Sequence, residues 1–299
     1  MSDPNPIPPN PASIPQPAAA ARNTARAQGR TARLVLIALG VLFILVMLVL
    51  PLITVCVYAL KQGWDVFSNA ITDPYAIKAL QLTLLATAAA VICNTVFGLF
   101  ASWTISKFHF RGKQFLTTLI DIPFAISPVI AGLVFILVFG RIGWAYDFLQ
   151  AHDLKVVFAV PGVILATIFV TFPFVARELI PLMQAQGSDE EEAAALMGAG
   201  WWTIYRKITL PHIKWGLLYG IILCTARALG EFGAVSVVSG HLRGKTNTLP
   251  LHIEILFSEF QLTAAFAVSS ILVAAAIIIL ILRNIVEFKG RKEEHEHVR

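Results

Sequence analysis

Six long apolar runs constrain this chain more than any other feature. They lie at about residues 34–60, 77–105, 115–139, 156–180, 215–239 and 263–286. A helix that crosses a bilayer needs about 20 predominantly apolar residues, and each run is long enough. In hydrocarbon every backbone N–H and C=O must find its partner inside the segment, so runs of this length imply helices. Only 14% of the 299 residues are charged, where a soluble domain would carry about 25%, which agrees. The expected fold is all-α and polytopic, with six transmembrane helices.

The first run follows Arg22, Arg26, Arg30 and Arg33. A secretory signal also starts with charge, but this run is too long for one and lacks a small-residue cleavage site. It reads as an uncleaved first span. Residues 1–20 hold seven prolines and little to bury, so 1–33 is expected to be a disordered cytoplasmic tail. The six-helix domain then covers 34–288, and 289–299 is a charged cytoplasmic tail.

The basic residues orient the spans. The N-terminal tail, the 106–114 and 176–214 connections and the C-terminal tail together carry sixteen Lys and Arg. The opposite connections carry six: Lys61, Lys78, Arg141, Lys155, Arg243 and Lys245. Excess Lys and Arg mark the cytoplasmic side, which puts both termini inside. Topology thereby accounts for the net charge of +5, and no nucleic-acid partner is needed. Cys56, Cys93 and Cys224 lie in apolar runs without CxxC or Cys/His spacing and read as small buried hydrophobes.

On the basic side, Ser188 to Pro211 is the longest polar interruption in the second half, SDEEEAAALMGAGWWTIYRKITLP. Ser188 with Glu191, and Asp189 with Glu192, have the spacing of a capping box. Four acids then sit at the positive end of a helix dipole. Ala193 to Met197 are strong helix formers. Gly198-Ala199-Gly200 predicts a corner. A second short amphipathic helix from Trp201 is expected to end at Leu210-Pro211. Two short helices joined by a glycine corner suit docking into a partner's groove, not catalysis.

Glu192-Ala193-Ala194, Gly198 six positions after the Glu, and Ile208-x-Leu210-Pro211 resemble the EAA loop of the permease subunits of bacterial ABC importers. The resemblance implies the type I (MetI-like) permease fold in the bacterial inner membrane. It also implies that Glu192, Ala193, Ala194, Gly198, Ile208, Leu210 and Pro211 dock an ATPase. The partners implied are two ATPase copies, a second permease subunit and a periplasmic binding protein.

The fifth run carries Arg227 and Glu231, four residues apart and so expected on one helical face. Each costs about 2.5–3.5 kcal/mol at mid-membrane on insertion scales. They are either an internal ion pair that holds the bundle or the edge of a translocation path or gate. Gly230 and Gly233 beside them would let another backbone approach. Pro123, Pro128, Pro161 and Pro173 predict kinks, and Gly216-x-x-x-Gly220 predicts a close helix contact.

Arg227 to Ala234, RALGEFGA, resembles the oxyanion branch of the importers, the sulfate and molybdate permeases. The run from Val238 to Leu256 resembles the sulfate/thiosulfate members more. The resemblance implies import of sulfate or thiosulfate. The alternatives are a molybdate or tungstate permease or, from another class, an uncoupled channel or scaffold. His241, Arg243 and Lys245 fall in an outward loop, where they would meet the binding protein, attract an anion or simply be solvated.

Gly244-Lys245-Thr246 imitates the end of a P-loop, but position 239, where the first glycine belongs, is Ser. HExxH and GxSxG are absent. His295 and His297 stand among carboxylates and read as a solvated tail. No catalytic residue, no metal site and no cofactor bound by this chain is expected.

Overall fold

The computed structural model describes residues 32–297. The predicted proline-rich tail with Arg22, Arg26 and Arg30 lies outside the described residues, as do Arg299 and the side chains of His295 and His297. Every regular element among the described residues is helical. The chain divides into two units, residues 1–54 and 55–299.

The first unit contains most of α1 (Ala32–Leu60), which holds a π-helical turn at Leu45–Val49. Pro51 follows that turn. A proline has no N–H to donate and crowds the carbonyl four residues back, and a widened turn relieves both problems.

The second unit continues with α2 (Trp64–Thr72), α3 (Pro74–Lys107), α4 (Lys113–Ala125), α5 (Pro128–Phe139) and α6 (Tyr146–Ala151). It goes on with α7 (Val160–Gln186), α8 (Asp189–Leu196) and α9 (Trp201–Leu229). It closes with α10 (Gly233–Val238), α11 (Leu249–Ser258) and α12 (Leu262–His297). Among the described residues, α1, α3, α7, α9 and α12 are long and apolar enough to cross a membrane.

The sixth predicted span, 115–139, is broken. Helices α4 and α5 meet at an angle of 106°. Ser127 is extended, with ψ 133°, ahead of Pro128, as the ring of a following proline demands. The predicted fifth span also stops early, at Leu229, and α10 follows as a separate half-helix.

The core is built by α3, α7 and α9. Asp73 starts α3 by accepting from the N–H groups of Tyr75 and Ala76. Apolar burial does not drive helix association in lipid, so close van der Waals contact must. Small residues make that contact possible. A Cβ on Gly98 of α3 would lie 2.7 Å from Val175 of α7. The predicted Gly216 and Gly220 contact is present. Their added Cβ atoms would lie 2.5 Å from Leu182 and 3.3 Å from the Val175 backbone. Asn94, fully buried, donates to Thr171 Oγ1 (2.8 Å) and to Ile168 O (3.2 Å), a polar stitch between α3 and α7.

The cysteines require a correction. Cys224 is buried, but Cys56 and Cys93 are exposed. A span that is apolar all round does not reveal from composition which face meets protein and which meets lipid.

Two opposite ends emerge. At one, Lys107 meets Gly187 and Glu191. At the other, Gly244 lies against Tyr75 and Lys78, within 3.4 Å of an added Cβ. The 106–114 and 176–214 connections thus meet at one end, and the loop that holds Arg243 and Lys245 lies at the other.

Candidate functional site

The end that carries Lys107 is built around α8 and the corner after it. All four acids, Asp189 to Glu192, fall in the first turn of α8, at the positive end of its dipole. The expected backbone cap is not made. Ser188 donates to Glu192 Oε1 at 2.5 Å, so the two side chains satisfy each other. Glu191 turns away from the cap. Its Oε1 accepts from Thr209 Oγ1 at 2.6 Å and lies 3.0 Å from Lys107 Nζ. The Lys107 and Glu191 side chains are only 8% and 13% exposed. Sequence reasoning passed over this role because both partners come from other helices.

The corner follows a Schellman pattern. Gly198 N–H donates to Ala195 O and Ala199 N–H to Ala194 O. Gly198 has φ +86°, and nothing lies within 4 Å of a Cβ built there. Glycine is needed here for its torsion, not for space. Around the corner Leu196, Met197, Trp201 and Trp202 are exposed by 90%, 82%, 67% and 56%. Four large apolar side chains on one small corner form a patch of the kind that marks an interaction site.

The second short helix does not end at Leu210-Pro211. It is the start of α9, which runs from Trp201 to Leu229. A π-turn at Tyr205–Thr209, closed by Leu210 N–H on Tyr205 O, lets the helix pass Pro211. Of the residues expected to dock a partner, Glu192, Ala193, Gly198 and Pro211 are exposed. Ala194 is buried, and Ile208 and Leu210 are half-buried against their own chain.

The second region lies at the α9–α10 break. Arg227 stands in the last turn of α9, and Glu231 lies beyond its end. The pair forms, with Arg227 Nη1 2.5 Å from Glu231 Oε2, but across the break instead of along one helical face. The Glu231 side chain is 1% exposed, and its Oε1 accepts from Ala234 N–H at 2.9 Å, so it also caps α10. A Cβ on Gly233 would lie 2.9 Å from Pro128 Cβ, and one on Gly132 would lie 2.7 Å from Ala234 O. The half-helices α5 and α10 therefore meet backbone to backbone. Gly230 has open space beside it, so the close approach expected there occurs at Gly233 alone.

At the opposite end, His241 Nδ1 lies 3.8 Å from Glu254, and Arg243 bonds Glu259. The hydrogen bond to Glu259 raises the Arg243 pKa further, and the same bond holds the Glu259 carboxyl below its usual value. Lys245 is exposed. Two of the three side chains expected to face a partner, His241 and Arg243, thus have carboxylates of their own chain beside them. One further pair was not foreseen. Arg177, counted in a connection, lies within α7, 3.7 Å from Asp121 and over the Phe124 ring.

The chain has extensive likeness to known proteins. The family described as binding-protein-dependent transport system inner membrane component matches residues 94–292. The sulfate transport system permease protein CysW of Escherichia coli (strain K12) is 44% identical over 270 residues, which is 88% of this chain and 93% of that protein. CysW of Synechocystis sp. is 45% identical over 252 residues, 84% of this chain and 91% of that one. The sulfate transport system permease protein CysT of Escherichia coli (strain K12) is 34% identical over 254 residues, 85% and 92% of the two chains. A chain in the crystal structure of a bacterial ABC transporter involved in the import of the acidic polysaccharide alginate superposes with a TM-score of 0.73. It covers 91% of this chain and 99% of that chain at 17% identity, a likeness of fold.

Proposed function

The chain belongs to the binding-protein-dependent transport system inner membrane components, as a multi-pass permease subunit that catalyses no reaction itself, and from that premise we propose that it imports sulfate or thiosulfate. It forms one half of the translocation path in a bacterial inner membrane, beside a second permease subunit of the kind named CysT. Two copies of an ATPase dock at the Gly198 corner, and a periplasmic binding protein delivers the anion at the end that holds His241, Arg243 and Lys245. Both termini and the corner lie in the cytosol, where ATP is. The chain binds no cofactor of its own.

The observation that carries the docking role is the exposed apolar patch of Leu196, Met197, Trp201 and Trp202 at the end rich in Lys and Arg. The names of the relatives support sulfate as cargo. The work is mechanical. Closure of the ATPase dimer carries the corner with it and rocks the bundle between inward- and outward-facing states. The shift can be no larger than the difference in contacts that the ATPase makes with those two states. In this reading Arg227, Glu231 and Gly233 edge the path or its gate, at the point where two half-helices meet.

Reconstitution with an ATPase, a second permease and a binding protein tests the proposal. Uptake of radiolabelled sulfate is expected to require ATP, and unlabelled thiosulfate is expected to compete. ATP-driven uptake of labelled molybdate without uptake of sulfate would instead favour the molybdate reading. Uptake that ignores ATP would favour a channel.

A further inference from the structure

We propose that Glu191 is the positioning residue that locks the coupling helix α8 to the bundle, with Lys107 on α3 and Thr209 on α9 as its two anchors. Apolar packing does little to hold α8 in place. Its one buried residue is Ala194, and its close neighbours within the chain are the first turns of α9. A short helix attached so lightly would swing when a partner pulls on it, and motion at the corner would not reach the spans.

The polar contacts supply the missing stiffness. One carboxylate oxygen, Glu191 Oε1, holds both Lys107 Nζ at 3.0 Å and Thr209 Oγ1 at 2.6 Å. Thr209 is fully buried and lies in the π-turn of α9. Lys107 is the last residue of α3, and its ammonium also donates to Gly187 O, at the approach to α8. The knot therefore ties together the end of α3, the lead-in to α8, the first turn of α8 and the bulged turn of α9. Burial keeps the ion pair largely unscreened. Removing one partner leaves the other charge buried and unpaired. The π-turn matters as well, because it places Thr209 in a register set by the five-residue hydrogen bond.

Glu191 differs in kind from its neighbours. Glu190 and Glu192 are exposed, and the Glu192 carboxylate accepts from Ser188, four residues back at the start of the same helix. A second strut, His212 to Glu190 at 3.4 Å, is exposed and charged only when the imidazole is protonated. The knot leaves the apolar patch untouched, so its loss is expected to spare docking and damage transmission.

That role rests on the docking of an ATPase at the corner, and the test separates the two. The assembled transporter is compared as wild type, Glu191→Gln, Thr209→Val and the charge swap Lys107→Glu with Glu191→Lys. Spin labels at the exposed positions 189 and 114, in a chain with its three cysteines replaced, report how firmly α8 is held. In Glu191→Gln the ATPase should still co-purify and hydrolyse ATP. The label distance distribution should broaden, and sulfate moved per ATP should fall by at least about tenfold, a threshold set well below the full cost of leaving one partner of a buried pair unpaired. Thr209→Val should give a smaller loss, and the swap should recover part of both readouts. An unchanged distance distribution and an unchanged ratio of sulfate to ATP in Glu191→Gln would overturn the proposal. So would loss of both Glu191→Gln and the swap from the membrane, since the knot would then hold the fold instead of orienting α8. A wild type that hydrolyses ATP without sulfate uptake would refute the cargo, while the label distances would still judge the knot.

Discussion

The corner at Gly198 and the break at Gly230–Gly233 share the same ingredients, a helix end, glycines and a glutamate (Glu191 at the start of the helix before the corner, Glu231 at the start of the helix after the break), and put them to opposite uses. At the corner, Gly198 needs a positive φ and has empty space around it. At the break, Gly132 and Gly233 need room, because the added Cβ atoms would lie within 2.9 Å of the facing segment. Glu191 ties the corner down from outside, at the end of the bundle. Glu231 sits inside, caps α10 and neutralises Arg227. The difference teaches that the corner is a handle, free on its outer surface, whereas the break is an internal joint whose two halves touch. Irregular backbone at such a joint is tolerable in a membrane protein only because it is enclosed by protein or lines a cavity.

The strongest challenge to this contrast is the same substitution made in both places. Gly132→Val drives a branched side chain into Ala234 O and Val237 Cβ. The expected cost is about 3 kcal/mol, the upper part of the range for overpacking, read as a lower thermal midpoint of the purified permease complex. Gly198→Val meets no neighbour, and its cost is torsional, about 1–2 kcal/mol for an L-residue with positive φ. It should lower ATP-driven uptake far more than it lowers the midpoint. Equal losses of stability at both positions would erase the distinction between torsion and room.

Next in size is the pair at the joint. Arg227→Ala leaves the Glu231 carboxylate buried with only the Ala234 N–H to hold it. Because Arg227 is itself one-third exposed, the cost is placed at the low end for a broken buried pair, about 3 kcal/mol. Glu231→Ala together with Arg227→Ala should be less harmful than Arg227→Ala alone, and Glu231→Gln, which keeps the cap, should be mild. A double-mutant cycle on thermal stability measures the coupling. Additive losses would mean that the two side chains act separately, as independent edges of a path would.

What the sequence disclosed follows the range of each interaction. The spans were legible because apolarity over 20 residues is a local property. The corner was legible for the same reason, since the Ala-rich turn, Gly198 and the acids are all within one short stretch. The prolines were not. Pro123 sits inside α4, Pro161 stands in the first turn of α7, Pro173 follows a one-residue irregularity at Phe172 that leaves α7 a single span, Pro211 passes through α9 behind a π-turn, and Pro128 opens α5 at the 106° bend. Each carries the same local restriction, and packing of α5 against α10 decides which one becomes a break. Glu191 and Glu192 both fit a capping pattern, and only the fold, by bringing Lys107 alongside, distinguishes them. The exposed Cys56 and Cys93 mark the same limit, because an apolar run does not say which face is lipid.

The smallest effect is expected from an ion pair that is neither handle nor joint. Arg243 and Glu259 bond each other at the far end with both side chains partly exposed. The bond holds the Glu259 carboxyl below its usual value, so the folded chain takes up that proton less readily than the unfolded one. Its contribution is therefore complete above the ordinary carboxylate range and disappears as the pH falls through the lowered value. Glu259→Gln should leave uptake unchanged and lower the thermal midpoint slightly at neutral pH. The gap to wild type should close on acidification, and also in about 1 M salt, where the screening length is about 3 Å. A gap that survives both conditions would mean that Arg243 is held as tightly as Arg227, and that the outer loop belongs with the internal joint instead of the solvated surface.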